Sequence, residues 1–338
     1  MYKNHFANKH NIYYSMKNFF RVVYGVFCIL GCLLGAGFIS GAEVQTFFVK
    51  FGFVGIIGIV FSSIIFAIAV CKQSKESLRQ GNKKFDILPY CQILISGAML
   101  AGLSEVVANC LQINNYIVLC CLTMLLFIAL VFGIKFANIF NIIVSVATVI
   151  ILPIVIKHVG INNFEIKSNL NFGLGIIYAA LYATINIVAC MPVIKSLPVK
   201  NKKVIGILSA IITAILLGII FVLLSGNTFN SDMPILALIS TPILKAIYTV
   251  LFVVAMVSTL FSASNGAKQV FAKINNNILE SVCSSLAIAS ISFVGFGEII
   301  NYLYPAIGIA ILVQIFVYKL HKKPLKTQKI SITMPKWC

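Results

Sequence analysis

Apolar residues in this chain come in long unbroken runs. Ten are visible, at about 20–48, 51–71, 88–111, 115–134, 136–157, 172–194, 204–225, 243–266, 278–296 and 298–318. Each is near the roughly 20 residues that an α-helix needs to cross a bilayer core. β-Branched residues are frequent within them. Apolar and polar positions do not alternate, however, and the runs are too long for the strands of a membrane barrel. A helix satisfies its own backbone hydrogen bonds without water, so the pattern predicts an all-α polytopic membrane protein with ten transmembrane helices. The longest polar stretches are 72–87 and 319–338. The expected organisation is therefore a single transmembrane domain over 1–318, followed by a short basic tail over 319–338.

Composition narrows the choice further. The chain is 60% hydrophobic and 10% charged, where soluble domains are about 45–50% apolar and about 25% charged. Its 26 basic and 8 acidic residues give a formal charge of +18. So few charges could not clothe a soluble protein of 338 residues. With an even number of spans, both termini share one side of the membrane. If that side is the cytoplasm, every basic residue except Lys50, Lys157, Lys167 and Lys245 falls inside. This is the bias that orients membrane proteins. The positive charge then has anionic lipid head groups as its partner, and nucleic acid is not expected to bind. Residues 1–19 carry His and Lys with no small-residue cleavage site after the first apolar run, so the first helix is expected to stay as an anchor. The expected location is the cell membrane, multi-pass, with both termini cytoplasmic.

The richest chemistry lies in the first span. Gly31, Gly35, Gly37 and Gly41 fall within a few turns, and Glu43 follows at once. Each glycine costs about 1 kcal/mol of helix propensity relative to Ala. Four together make local unwinding inexpensive. An unwound turn at membrane depth is tolerated only where it faces protein or a watery cavity. There the half-helix ends can bind ions or solute. The spacing also forms two GxxxG pairs, Gly31/Gly35 and Gly37/Gly41, which alone would signal only close helix packing. Glu43 and Glu105 are the carboxylates at membrane depth, where charge is expensive and marks function. For Glu43 the competing role is to complement the N-terminus of the outer half-helix. For Glu105 it is a structural hydrogen bond or an outer vestibule position. Ser96, Gly97, Ala101 and Gly102 read as close-packing residues. The ten cysteines lie mostly inside predicted helices and read as small buried hydrophobes. Cys28 and Cys32 share a helix face, but no His or second Cys pair stands at ligand spacing. His5, His10, His158 and His321 fall outside spans or at their ends, so a membrane-embedded enzyme is not expected. A channel would need rings of charge or a repeated filter.

The run GAGFISGAEVQTFFVKFG, residues 35–52, resembles the signature of the YkvI-like bacterial membrane proteins. These are similar to the amino acid–polyamine–organocation transporter superfamily, which has the LeuT-type fold. LYATINIV at 181–188 resembles a Tyr-x-x-x-Asn pattern of that family. STLFSASNG at 258–266 resembles a Thr-Thr motif, and NYLYPAIGIA at 301–310 a Tyr-Pro-x-x-Gly motif.

The resemblance implies ten helices in a 5+5 inverted repeat. Repeat one would span about 20–157 and repeat two about 172–318, with discontinuous first and sixth helices. It implies a solute site at the two breaks, formed by Gly35, Ala36, Gly37, Phe38, Gly41, Glu43, Tyr182 and Asn186. The sixth span has no glycine to mark its break, and Asn186 could equally make an interhelical hydrogen bond. By analogy with sodium-coupled members, a cation would lie between Gly31, Leu34, Ala255, Ser258 and Thr259. All-oxygen ligation suits a hard monovalent ion. Ser258 and Thr259 could instead bond back to their own helix. Some proton-coupled members place a fifth-helix lysine in that site, whereas the fifth span here has only Lys157, at its end. The resulting expectation is an ion-coupled secondary transporter of a small organic solute, such as an amino acid, working by alternating access. The coupling ion would be sodium or a proton, with no cofactor and no known protein partner. The alternative is a solute-sensing, receptor-like membrane subunit that does not transport.

The charge distribution makes a direct prediction. On a cysteine-depleted background, single cysteines at positions 80 and 200 should react with a membrane-impermeant thiol reagent only from the cytoplasmic side. Labelling from outside would invert the orientation.

Overall fold

The computed structural model describes residues 2–76, 87–160, 171–198, 201–225, 233–295, 306–311 and 313–314. In chain order the helices are α1 (Tyr2–Leu33), α2 (Ala36–Ser40), α3 (Ala42–Phe47), α4 (Phe53–Glu76), α5 (Leu88–Leu111) and α6 (Asn115–Phe132). They continue with α7 (Ile134–Val159), α8 (Phe172–Ser196), α9 (Lys202–Leu224), α10 (Pro234–Leu238), α11 (Pro242–Ala267) and α12 (Asn277–Ser292). No strand occurs among the described residues. Among the described residues, eight helices are long and apolar enough to cross a membrane: α1, α4, α5, α6, α7, α8, α9 and α11, the last with the 3-10 turn that follows it. The chain is an all-α polytopic membrane protein.

The ninth expected span appears as α12, apolar but only 16 residues long. The tenth is described only at 306–311 and 313–314, where it is helical. Residues 301–305, and with them the Tyr-Pro of the last motif, lie outside the described residues, as does the tail 319–338.

Local chemistry explains the boundaries. The Asn114 side chain caps α6 by accepting from the Tyr116 N–H at 2.9 Å. Asn276 caps α12 by accepting from Ile278 and Leu279. Each satisfies orphan donors of a first helical turn. Pro242 stands in the first turn of α11, where its missing N–H costs nothing.

α11 packs on α5, α7 and α8, while α4 packs on α8 and α9. α1 runs against α7, α8, α9 and α11, so α1, α8 and α11 form the middle of the bundle. The outside is apolar. α6 exposes Ile117, Met124, Leu125, Ile128 and Phe132, and α7 exposes Ile139, Ile143, Ile150 and Ile154. Such a surface suits hydrocarbon and would aggregate in water. Cys28, Cys32, Cys91 and Cys190 are buried as expected, but Cys110, Cys120 and Cys121 are exposed.

The expected break in the sixth span is absent. α8 is one continuous helix from Phe172 to Ser196. Its polar residues bond back to their own backbone: Thr184 Oγ1 donates to the Ala180 carbonyl at 2.7 Å, and Asn186 Nδ2 to the Tyr182 carbonyl at 3.0 Å. These bonds leave the helical ladder intact, and no glycine stands there to weaken it. The one helix breaker, Pro192, is compensated from outside. A proline removes the hydrogen bond to the carbonyl four residues earlier, here Val188. Gln92 of α5 donates to that carbonyl from Nε2 at 2.9 Å. The carboxamide fits because Gly266 of α11 has no side chain; a Cβ there would overlap it. One glutamine thus ties α5 to α8 across α11.

Gln92→Leu should therefore destabilise the fold by about 1–3 kcal/mol, the cost of leaving a buried carbonyl unpaired. Thermal unfolding in detergent measures this. Gln92→Glu, which can retain a donor only when protonated, should fall between the two and recover at low pH.

Candidate functional site

The first crossing is interrupted twice. α1 ends at Leu33, and Leu34 and Gly35 leave the helix, with Gly35 extended (φ −67°, ψ −177°). Five residues of helix follow in α2, then Gly41 takes a left-handed conformation (φ 83°, ψ −6°), and α3 begins. The interruption expected over 35–41 is thus two sharp breaks with Ala36–Ser40 helical between them. Gly41 closes one helix and opens the next. Its N–H donates to the Phe38 carbonyl at 3.1 Å, and its carbonyl accepts from the Gln45 N–H at 2.9 Å. A left-handed residue between two helical segments is a position that glycine fills without steric cost.

The other three glycines serve close approach. A Cβ on Gly31 would overlap the backbone carbonyl of Asn141, so Gly31 lets α7 lie directly on α1. On Gly35 it would sit 2.7 Å from Thr259 Oγ1. On Gly37 it would overlap the side chain of Glu43, which folds back over the Gly41 turn. The broken segment is also held from outside. Tyr248 of α11 donates its hydroxyl to the Ile39 carbonyl at 2.7 Å. Ile235 of α10 and Leu224 of α9 close over Gly41.

Two polar clusters flank α2. Glu43, Tyr182 and Asn186 form the first. Glu43 is only 9% exposed. The Asn186 carboxamide meets its carboxylate, and Tyr182 lies close to the same carboxylate. The Tyr182 hydroxyl is buried and makes no hydrogen bond. Its ring packs on Phe48 and Phe47, with centroids 4.9 and 5.7 Å away. Of the residues expected in the first span, Gly37 lies against Glu43, Gly35 faces Thr259, and Gly41 sits under Ile235 and Leu224. Phe38 and Ala36 are fully buried.

The second cluster lies where α1, α7 and α11 meet. Ser258 Oγ is within hydrogen-bond reach of the Gly31 carbonyl (3.2 Å) and of Asn141 Oδ1. Asn141 Nδ2 donates to Ser262 Oγ at 3.0 Å, and Ser262 Oγ also lies 3.1 Å from Asn141 Oδ1. Thr259 Oγ1, on a residue 5% exposed, has no hydrogen-bond partner and faces Gly35. Ser258 thus turns across to α1 and α7, not back along α11. Leu34 and Ala255 are buried beside these residues. The Leu34 N–H still donates to the Leu30 carbonyl, and Ala255 lies within the unbroken α11. A buried, partnerless hydroxyl is a neutral oxygen of the kind a hard monovalent cation accepts.

Glu105 is exposed on α5. Asn141 and Ser262 were not among the expected site residues, although a signal existed. Asn138, Asn141, Ser145 and Thr148 recur at helical spacing in an otherwise apolar run, and all four are buried. Such a stripe marks the face of a membrane helix turned to other helices. Compared with known proteins, the sequence matches no family model and no curated protein.

Gly41→Ala should strain the turn by about 1–2 kcal/mol through its left-handed backbone, with added crowding against Ile235 and Leu224. A Gly→Ala change at Gly218, where nothing lies within 4 Å, should be harmless. Hydrogen exchange over residues 36–47 should accelerate in the first variant only.

Proposed function

We propose that this protein is an ion-coupled secondary transporter of a small organic solute, working by alternating access about the first crossing. The observation that carries this reading is the double break at Gly35 and Gly41, with a buried polar cluster on each side. Broken helices at membrane depth are costly and recur at the midplane sites of transporters. The resemblance of residues 35–52 to YkvI-like proteins, and through them to the LeuT-type fold, points the same way.

Glu43, Tyr182 and Asn186 bring a carboxylate, a phenol and a carboxamide together beside Phe47 and Phe48. That set suits a small solute with an ammonium group and a modest apolar part, such as an amino acid. Gly31, Leu34, Ala255, Ser258 and Thr259 supply the oxygens for a coupling cation. A ligand that holds α1 against α11 favours whichever conformation closes that seam. The preference is reciprocal, so solute and ion should each tighten the other's binding, typically by 5–150-fold, or about 1–3 kcal/mol.

Counterflow uptake in proteoliposomes, with a panel of amino acids in sodium, potassium and choline, tests the function. Exchange of at least one solute is expected, with loss of most activity in Glu43→Gln. Binding without exchange would make the protein a solute-sensing subunit. If exchange is indifferent to sodium but rises with a proton gradient, and Glu43→Gln abolishes that response, the coupling ion is the proton.

A further inference from the structure

We propose that the start of α9 binds the phosphate head group of an anionic lipid, and that Lys202 is the residue that holds it. This is independent of the transporter reading. Gly25 of α1, which α9 meets, lies ten residues before Gly35, about 15 Å of helix away from the breaks.

Lys202, Ile205, Gly206 and Ser209 recur at helical spacing along α9, and all four are buried. This is the face that α9 turns to α1 and α4. Ile205 lies on Gly25 of α1, and Gly206 lies against Val70 of α4. The Lys203 carbonyl is 3.8 Å from Cys71 Sγ, also on α4. Lys203 and Val204, on the other side of the helix, are exposed. A lysine thus occupies an interior position that an apolar residue would ordinarily fill, and it is 0% exposed. Its Nζ makes no hydrogen bond, and among the described residues no carboxylate pairs with it. Burying an ammonium without a partner is very costly. The charge therefore calls for an anion from outside the chain.

The backbone suits the same ligand. The first N–H groups of a helix have no intrahelical acceptor, and they attract anions. Asn201, at the N-cap of α9, gives them no side-chain cap. Helical side chains lean toward the helix N-terminus. Lys202, in the first turn, therefore carries its ammonium toward the end at which those N–H groups point.

The neighbouring surface identifies the anion as a lipid's. Arg21 is four residues before Gly25 and so shares the side of α1 that meets α9. Arg21 also lines an open groove of about 450 Å³ with Met16, Lys17, Phe20 and Tyr24. Met16, Phe20 and Tyr24 are exposed apolar surface. Two cations beside an apolar wall match a phosphodiester that carries acyl chains. A soluble phosphate ester would leave that wall uncovered. Basic pockets between helices on the cytoplasmic side bind such head groups, and the charge distribution expects this end of the bundle to be cytoplasmic.

Titration of the purified full-length protein in neutral detergent, followed by thermal stability, tests the assignment. The probes are phosphatidylglycerol, phosphatidylcholine and glycerol 1-phosphate. Phosphatidylglycerol should raise the melting temperature saturably, and the other two at equal concentration should not. Lys202→Gln should weaken phosphatidylglycerol binding at least about 10-fold, as loss of a charge-assisted hydrogen bond does. Lys203→Gln removes the same charge from the exposed neighbour and should cost at most about 5-fold. Lys202→Met restores an apolar residue to the interior face. It should be at least as stable as wild type without lipid and should lose the saturable response, which keeps the test decisive if glutamine impairs folding. Equal affinity in wild type and a folded Lys202→Gln or Lys202→Met protein would overturn the proposal, and so would equal losses at Lys202 and Lys203. Stabilisation by glycerol 1-phosphate as strong as that by phosphatidylglycerol would also overturn it, because the occupant would then be a soluble ester.

Discussion

A bilayer offers no water to a broken backbone, and the first crossing of this protein is organised around that constraint. Two interruptions within seven residues free helical N–H and C=O groups in the middle of the bundle. The surrounding helices take up several of them. Tyr248 serves the Ile39 carbonyl and Ser258 the Gly31 carbonyl, while the short α2 and α3 reuse Gly35 and Gly41 as acceptors. These bonds require close approach, and close approach requires the glycines. The same four residues that weaken the helix also admit the neighbours that repair it.

The α8 helix resolves the same problem differently. Pro192 frees the Val188 carbonyl, and Gln92 reaches it from α5 across Gly266. With that carbonyl satisfied by one distant side chain, α8 stays continuous beside the broken segment. A crossing broken twice thus lies beside an unbroken one. Glu43 is on the broken side, while Tyr182 and Asn186 are on the continuous helix.

Polar contacts also join α1, α7 and α11 inside the apolar bundle. Interhelical hydrogen bonds of this kind are worth little each, about 0.6 kcal/mol on average. Apolar packing along α4, α8 and α9 buries residues such as Val70, Ile205 and Phe221.

Much of this was legible in the chain itself. Run length fixed the helices, because a bilayer sets the minimum length of a crossing; α5, α6, α7, α8 and α11 begin and end within about two residues of their apolar runs. Glycine density located the break, because backbone freedom is a local property. Local signals could not tell that Ala36–Ser40 would refold into a turn of helix, since that depends on Tyr248 and Ile235 closing over it. They could not tell that α8 would stay whole, since Pro192 is compensated by a glutamine 100 residues earlier in the chain. They also left Asn141 unremarked, although its polar stripe was visible. What places it at the junction of α1, α7 and α11 is the contact between its backbone and Gly31, and only the packing of three helices distant in sequence could decide that.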